Sequence, residues 1–151
     1  MKKVLIIFGS TTGNTEYMAG IIGKGFIEAG FKTALINAAD FDPGELQGDL
    51  SAIILGCPAY GHDTVELQDE FAVFFEELDS IDLKNRSFAV FAPGDSSYEH
   101  YCGSVDLIEE KLESLGALRL CDGLRVDGDP QNCKGEISDW ADSVINGINI
   151  K

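Results

Sequence analysis

Unbroken apolar segments of strand length alternate along this chain with segments whose apolar residues recur at helical spacing. The first strand-like segment covers residues 4–8, and similar segments lie at residues 33–37, 52–57 and 87–92. Apolar character that is continuous rather than alternating is typical of parallel strands buried on both faces. A fifth strand, irregular toward its end, is predicted over residues 118–126.

Four helices are predicted between and after these strands. The first covers residues 14–29, and the second includes the apolar residues between 67 and 78. The third starts at Ser104, a suitable N-cap residue, and ends at Gly116, while the last begins near Pro130. Strands that alternate with helices predict one α/β domain over all 151 residues: a single doubly wound, five-stranded parallel sheet with helices on both faces.

The composition is that of an ordinary globular domain, with 44% hydrophobic and 25% charged residues. A chain of 151 residues can bury a core without disulfides or a structural metal. The four cysteines form no CxxC pair and no zinc-binding spacing, which favours reduced thiols. The apolar runs are too short to span a bilayer, and the absence of a signal-peptide cleavage site predicts a cytoplasmic protein.

The charge is unusual, because 26 acidic residues against 11 basic ones give a net charge of −15. This charge argues against binding to nucleic acid, whose phosphates need a basic surface, and against attachment to anionic membranes. Between Thr33 and Leu83 there are twelve acidic residues and no Lys or Arg. Two interpretations of this acidic stretch stay open: a solvated surface that confers solubility, or a field that attracts a basic partner.

The first predicted strand runs into residues 9–16, a loop with two glycines and four hydroxyl side chains. Backbone amides at a helix N-terminus, together with hydroxyl donors, suit a phosphate group. No Lys follows the loop as in a Walker P-loop, the GxGxxG dinucleotide pattern is absent, and no Cys is available for a phosphatase thiolate. A loop without a cation suits one phosphate monoester held by neutral donors.

Two further loops follow the third and fourth strands, at residues 56–63 and 93–103. The carboxyl ends of parallel strands meet at one edge of a sheet, where ligands of such folds bind. Tyr60 in one loop and Tyr98 in the other would therefore lie beside the phosphate site. We expect a planar ring system between these aromatic side chains, with its phosphate in the first loop.

The three loops resemble those of the flavodoxins, in particular the short-chain bacterial type. The resemblance is carried by Ser10-Thr11-Thr12-Gly13-Asn14-Thr15-Glu16, by Gly61, and by Gly94-Asp95-Ser96-Ser97-Tyr98 with Cys102-Gly103. It covers essentially the whole chain. It implies the strand order 2-1-3-4-5 that flavodoxin itself exemplifies, with FMN as the cofactor and no metal.

The resemblance also implies the cofactor-binding residues. Those of the first loop hold the FMN phosphate: Ser10, Thr11, Thr12, Gly13, Asn14 and Thr15. Tyr98 stacks on one face of the isoalloxazine, Tyr60 covers the other, and Gly61 turns its carbonyl toward flavin N5 after one-electron reduction. The other expected contacts, to the ribityl chain, the ring and the pyrimidine edge, come from Pro58, Ala59, Pro93, Gly94, Asp95, Tyr101 and Cys102.

The implied function is that of a low-potential one-electron carrier that shuttles between the semiquinone and hydroquinone states of FMN, without substrate turnover of its own. Negative charge near the ring disfavours an anionic hydroquinone, so the acidic residues fit a low potential. The implied partners are basic-surfaced redox proteins, such as cytochromes, reductases or a hydrogenase. The chain itself is expected to be a monomer.

Two other functions were weighed against the carrier. An FMN-dependent NAD(P)H or quinone-type reductase of the same fold needs a substrate pocket over the flavin, which Tyr60 and Tyr98 would occlude; this alternative stays open. A response-regulator receiver domain needs acidic residues after its first strand and a phosphorylated Asp after its third. Here Gly9-Ser10 and Cys57-Pro58 stand at those places, which argues against that class.

Overall fold

The computed structural model describes residues 2–9, 13–60, 66–94 and 102–150. Its strands are β1 (Lys3–Phe8), β2 (Lys32–Asn37), β3 (Ala52–Gly56), β4 (Ala59–Tyr60), β5 (Glu66–Leu67), β6 (Ser87–Gly94), β7 (Leu118–Arg119) and β8 (Leu124–Asp127). Its α-helices are α1 (Asn14–Glu28), α2 (Asp69–Glu77), α3 (Gly103–Ser114) and α4 (Lys134–Ile150). Short 3-10 helices lie at Ala38–Asp40, Pro43–Gln47, Leu78–Ser80 and Pro130–Asn132.

The main sheet is parallel, with β2, β1, β3 and β6 side by side and β7 and β8 both paired to the outer edge of β6. This arrangement confirms the predicted order 2-1-3-4-5, with the fifth strand divided into two segments. Phe88 pairs with Arg119 and Phe91 pairs with Leu124, so two residues of β6 face the four residues 120–123. The extra residues form a bulge, which explains the irregular sequence pattern there.

Helices cover both faces of the sheet, as predicted. Successive side chains of a strand point to opposite faces, so Leu5 and Ile7 enter one core while Val4 and Ile6 enter the other. The first core is closed by α2 and α3, and the second by α1 and α4. The largest fully buried side chains of the two cores include Phe71, Phe74, Phe88, Phe26 and Phe91.

Three helix starts differ from the sequence prediction. The prediction of Ser104 as an N-cap is wrong: α3 begins at Gly103, and its N-cap is Cys102. The Ser104 hydroxyl is fully buried and donates instead to the carbonyl oxygen of Cys57. Helix α2 begins at Asp69, because Leu67 belongs to β5, and α4 begins at Lys134 after the short 3-10 helix that starts at Pro130. Within the described ranges, no helix combines the length and the apolar character needed to cross a membrane.

Candidate functional site

The ends of β1 and β3 are joined directly at the carboxyl edge of the sheet. The amide of Gly9 donates a hydrogen bond to the carbonyl oxygen of Gly56 at 3.0 Å. A Cβ atom on Gly56 would lie 2.1 Å from the Phe91 ring, so only glycine allows β3 and β6 to pack this way here. The first and second loops therefore begin side by side, next to β6.

The first loop enters α1 through Gly13, whose φ of 94° is in the left-handed region that favours glycine. Its carbonyl oxygen accepts the first helical hydrogen bond from Tyr17 at 2.9 Å. The side chain of Thr15 is almost fully buried, whereas Asn14 is exposed. The predicted residues Ser10, Thr11 and Thr12 lie outside the described part of the chain. The described part presents the N-terminus of α1 at the predicted phosphate position.

The second loop starts at Cys57, whose thiol is fully buried and donates to the carbonyl oxygen of Pro58 at 3.2 Å. Burial raises the pKa of this thiol to about 12. A thiol that stays protonated at neutral pH is a poor nucleophile, so Cys57 acts in packing.

Strand β4 then pairs antiparallel with β5, with Ala59 opposite Leu67 and Tyr60 opposite Glu66. The predicted Gly61 lies between these two strands in the sequence and is outside the described residues. This short pairing was not predicted. It places the described part of the second loop beside residues 66 and 67.

Gln68 connects the second loop to the first. Its side chain is buried, and its Oε1 atom accepts a 2.9 Å hydrogen bond from the amide of Phe71 in the first turn of α2. A Cβ atom on Gly9 would lie 2.5 Å from the same Oε1 atom. The capping role of Gln68 was missed by the sequence analysis, because Gln is not among the residue types that favour the N-cap position.

The third loop leaves β6 at Pro93 and Gly94 and rejoins the described chain at Cys102. Pro93 is buried and pairs with Val126, and the carbonyl oxygen of Gly94 accepts from the amide of Gly128 at 2.8 Å. Cys102 is also buried, and its thiol lies 3.6 Å from the carbonyl oxygen of Ala92 as a donor. The loop therefore starts and ends against β6. The predicted residues Asp95, Tyr98 and Tyr101 are outside the described ranges.

Cys102 adopts the left-handed conformation, with φ 49° and ψ 32°. Its carbonyl oxygen accepts from the amide of Val105 at 3.0 Å and from Nη1 of Arg125 at 3.1 Å. Arg125 in turn binds Asp106 of α3, with Nη2 to Oδ1 at 2.6 Å and Nη1 to Oδ2 at 3.3 Å. The hydrogen bond that Arg125 donates to Asp106 raises the pKa of Arg125, which is charged throughout the physiological range.

A second charged cluster lies one to two turns further along α3. Arg119 binds Glu113 at 2.7 Å and contacts Glu109 at 3.4 Å. Glu109 is buried, its Oε2 atom has no hydrogen-bond partner among the described residues, and burial raises its pKa. The adjoining surface pocket, of about 530 Å³, is lined by two arginines and five acids, a set unsuited to an apolar ring system.

Charge is unevenly arranged relative to the carboxyl edge. The described residues of the three loops include no Lys or Arg, whereas α2 begins there with Asp69 and Glu70. At the opposite edge, Lys3 and Lys32 stand in register at the starts of β1 and β2, and Lys84 and Arg86 precede β6. These four basic residues thus lie at the edge away from the described loop residues, while Arg125 beside Cys102 is paired with Asp106.

The donor chemistry of the carboxyl edge fits a cofactor with a planar ring and a phosphate. Around Gly13 no described atom beyond its chain neighbours lies within 4 Å of the position that a Cβ would occupy. The described residues at this entry, Gly13, Asn14 and Thr15, are neutral and carry amide and hydroxyl groups, which suits the phosphate monoester that the sequence predicts. Among the residues that the structure describes, no three His, Cys, Asp or Glu side chains are placed to hold a metal ion.

Comparisons with known proteins agree with one another. Residues 6–140 match the family model described as Flavodoxin. The chain is 39% identical to a flavodoxin of Maridesulfovibrio salexigens and 38% identical to one of Nitratidesulfovibrio vulgaris, each over 148 residues that cover 98% of this chain and all of the relative. Oxidised flavodoxin 1 from Bacillus cereus superposes with a TM-score of 0.87 at 31% identity, covering 96% of this chain and 98% of that one.

Proposed function

Because the chain belongs to the flavodoxin family, whose members bind FMN and carry electrons, we propose that it is a low-potential one-electron carrier working between the semiquinone and hydroquinone states of FMN. The observation that carries the proposal is the convergence of the described ends of three loops at the carboxyl edge of the sheet. FMN supplies the one-electron chemistry when bound. The residues of the protein bind it, orient it and set its electrostatic surroundings.

The phosphate of FMN is held, in this proposal, by the first loop and the first turn of α1. The left-handed Gly13 and the buried Thr15 support this role, since both belong to a helix entry that presents amides. No cation is needed, because the helix dipole adds to the hydrogen bonds. The proposed phosphate residues are Ser10, Thr11, Thr12, Gly13, Asn14 and Thr15.

The flavin ring lies, in this proposal, between Tyr60 and Tyr98, with Gly61 turning its carbonyl toward N5. The pairing of β4 with β5 supports the position of Gly61, since it brings the flanking residues 60 and 66 opposite each other. The remaining proposed ring, ribityl and pyrimidine-edge contacts come from Pro58, Ala59, Pro93, Gly94, Asp95, Tyr101 and Cys102.

The uneven charge supports a low potential for the second electron. The stretch between Lys32 and Lys84 holds no Lys or Arg, and α2 begins at the carboxyl edge with Asp69 and Glu70. Like charge disfavours a further negative charge on the ring. The basic residues at the opposite edge, such as Lys3 and Lys32, are separated from the site by the length of the strands.

The same charge arrangement supports partners with basic surfaces, such as cytochromes, reductases or a hydrogenase. A strongly acidic stretch attracts a basic partner, which raises the association rate. The monomeric state and the cytoplasmic location stay predictions of the sequence.

Titration of the FMN-free chain with FMN, followed by a reductive titration monitored by visible absorbance, tests the proposed function. We expect tight binding and two separate one-electron steps, the second at lower potential. Absence of binding, or a single two-electron step, would overturn the proposal. Fast NAD(P)H oxidation by the purified protein alone would favour the reductase instead.

Stopped-flow electron transfer to a basic cytochrome tests the docking part. The rate is expected to fall as ionic strength rises, because salt screens the attraction. An uncharged one-electron acceptor is the control and should show little salt dependence. Equal salt dependence for both acceptors would mean that the acidic residues serve only solubility.

A further inference from the structure

Arg125 makes a contact that ion pairing alone does not explain. Its Nη2 atom binds Oδ1 of Asp106 at 2.6 Å, while its Nη1 atom is shared between Oδ2 of Asp106 at 3.3 Å and the carbonyl oxygen of Cys102 at 3.1 Å. The guanidinium is planar and holds its donors in a fixed fork. The carboxylate of Asp106 therefore orients the fork, and the fork aims one N–H at Cys102.

Cys102 is a residue whose conformation needs such support. With φ 49° it lies in the left-handed region, which costs a residue with a side chain about 1–2 kcal/mol. Strained backbone of this kind persists where the surrounding structure over-determines it. Here the carbonyl oxygen accepts two hydrogen bonds, from Arg125 and from Val105, and the thiol donates to Ala92 on β6.

The carbonyl and the amide of Cys102 are mechanically linked. Peptide groups are planar, so only φ and ψ of Cys102 separate its carbonyl plane from its amide plane. A hydrogen bond that fixes the carbonyl direction, together with a fixed left-handed conformation, also fixes the direction of the N–H. A loss of the Arg125 contact would let both planes rotate.

We propose that Arg125 and Asp106 are positioning residues for the cofactor: they hold the carbonyl of Cys102 so that its amide keeps the direction needed at the pyrimidine edge of FMN. The proposal rests on the proposed function, which assigns Cys102 to that edge. Asp106 acts through Arg125, and Arg125 acts through the Cys102 backbone. Neither side chain needs to contact the flavin.

The test is the substitution Arg125→Lys, which keeps the charge and removes the fork. The matched control is Arg119→Lys, because Arg119 lies on the neighbouring segment and also bridges to carboxylates of α3, Glu113 and Glu109, but does not contact Cys102. FMN binding is expected to weaken about tenfold in Arg125→Lys and to stay unchanged in Arg119→Lys. Asp106→Asn, the second variant, is expected to weaken binding in the same direction, although it lowers the negative charge.

Amide hydrogen exchange of Val105 in the FMN-free chain gives a readout that does not depend on the cofactor. This amide donates to the same carbonyl oxygen as Arg125, so its exchange should speed up in Arg125→Lys and not in Arg119→Lys. If the wild-type chain binds no FMN, the proposed function fails while this exchange still tests the contact. Unchanged Val105 exchange, or faster exchange with unchanged FMN affinity, would overturn the positioning role.

An equal loss of FMN affinity in Arg119→Lys would also overturn it, because the effect would then be a general one on α3. Urea unfolding of all three variants accompanies the titrations. A positioning role requires that the affinity of Arg125→Lys falls more than that of Arg119→Lys at comparable stability.

Discussion

The hydroxyl of Ser104 donates a 2.6 Å hydrogen bond to the carbonyl oxygen of Cys57, and both residues are fully buried. Ser104 lies in the first turn of α3, directly after the third loop, and Cys57 is the first residue after β3. One hydrogen bond thus links the end of one proposed flavin loop to the beginning of another. This hydrogen bond fixes the end of the third loop relative to the start of the second.

Ser104→Ala should lower the free energy of unfolding by about 1–3 kcal/mol, because it removes the donor from a buried carbonyl. The matched control is Ser114→Ala at the other end of the same helix. The Ser114 hydroxyl donates to Lys111 in an exposed position, where water can replace it. Urea unfolding monitored by circular dichroism gives both values, and equal losses would mean that the link to Cys57 adds nothing.

Gly56→Ala should destabilise the fold by about 1–3 kcal/mol or more, since the new methyl group would collide with the Phe91 ring in a well-packed core. Gly20→Ala is the opposite case. Gly20 is exposed within α1, and no described atom lies within 4 Å of its Cβ position, so alanine should stabilise the helix by about 0.5–1 kcal/mol. Thermal unfolding of the two variants should therefore shift in opposite directions.

The difference in free energy of unfolding between Glu109→Gln and the wild type should shift in favour of the variant as the pH rises. Burial raises the pKa of Glu109 in the folded state, so between the unfolded value and that raised value the folded chain binds more protons. The free energy of unfolding of the wild type therefore decreases as the pH rises from the unfolded pKa to the raised folded pKa. Above the folded pKa, Glu109 is ionised and the decrease stops. Glutamine carries no such cost.

Urea unfolding of wild type and Glu109→Gln between pH 4 and pH 7 measures this difference. Glu110→Gln removes the same charge from the exposed side of α3 and corrects for the change in net charge. A stability difference that stays constant with pH, after this correction, would contradict a raised pKa for Glu109.

Cys57 and Cys121 should react slowly with iodoacetamide at pH 8. Burial raises the pKa of Cys57 to about 12, and burial with the nearby Asp122 and Glu109 raises that of Cys121 to about 11. Since the thiolate is the nucleophile, both are expected to react at least about tenfold more slowly than in the urea-unfolded chain. Mass spectrometry of alkylated peptides separates the two sites, and rates equal to those of the unfolded chain would refute the prediction.

The main elements could be predicted because their signals are local. The apolar run at residues 4–8 and the helical spacing after Asn14 each identify an element without knowledge of its neighbours, and both match β1 and α1 closely. The order of the strands in the sheet, in contrast, was predicted from the resemblance to flavodoxins. The partner of Ser104 could not be predicted, because Cys57 lies 47 positions earlier and the local sequence equally suits an N-cap.

The site was predictable in part for the same reason. Residue types alone identified the three loops, and the structure brings their described ends together at one edge. The contacts that hold those ends, from Gln68 to Phe71 and from Arg125 to Cys102, depend on pairings that only the folded chain creates. The roles of Ser10, Tyr98 and the other undescribed loop residues stay predictions.

The interrupted outer strand has a consequence for behaviour at high concentration. An unpaired strand at the rim of a sheet can recruit a strand from another molecule and start aggregation. Here the rim is divided into the two residues of β7 and the four of β8, with a bulge between them. An incoming strand would find few aligned backbone hydrogen-bonding groups along this short and interrupted edge. We therefore expect that the protein does not aggregate through this edge at high concentration.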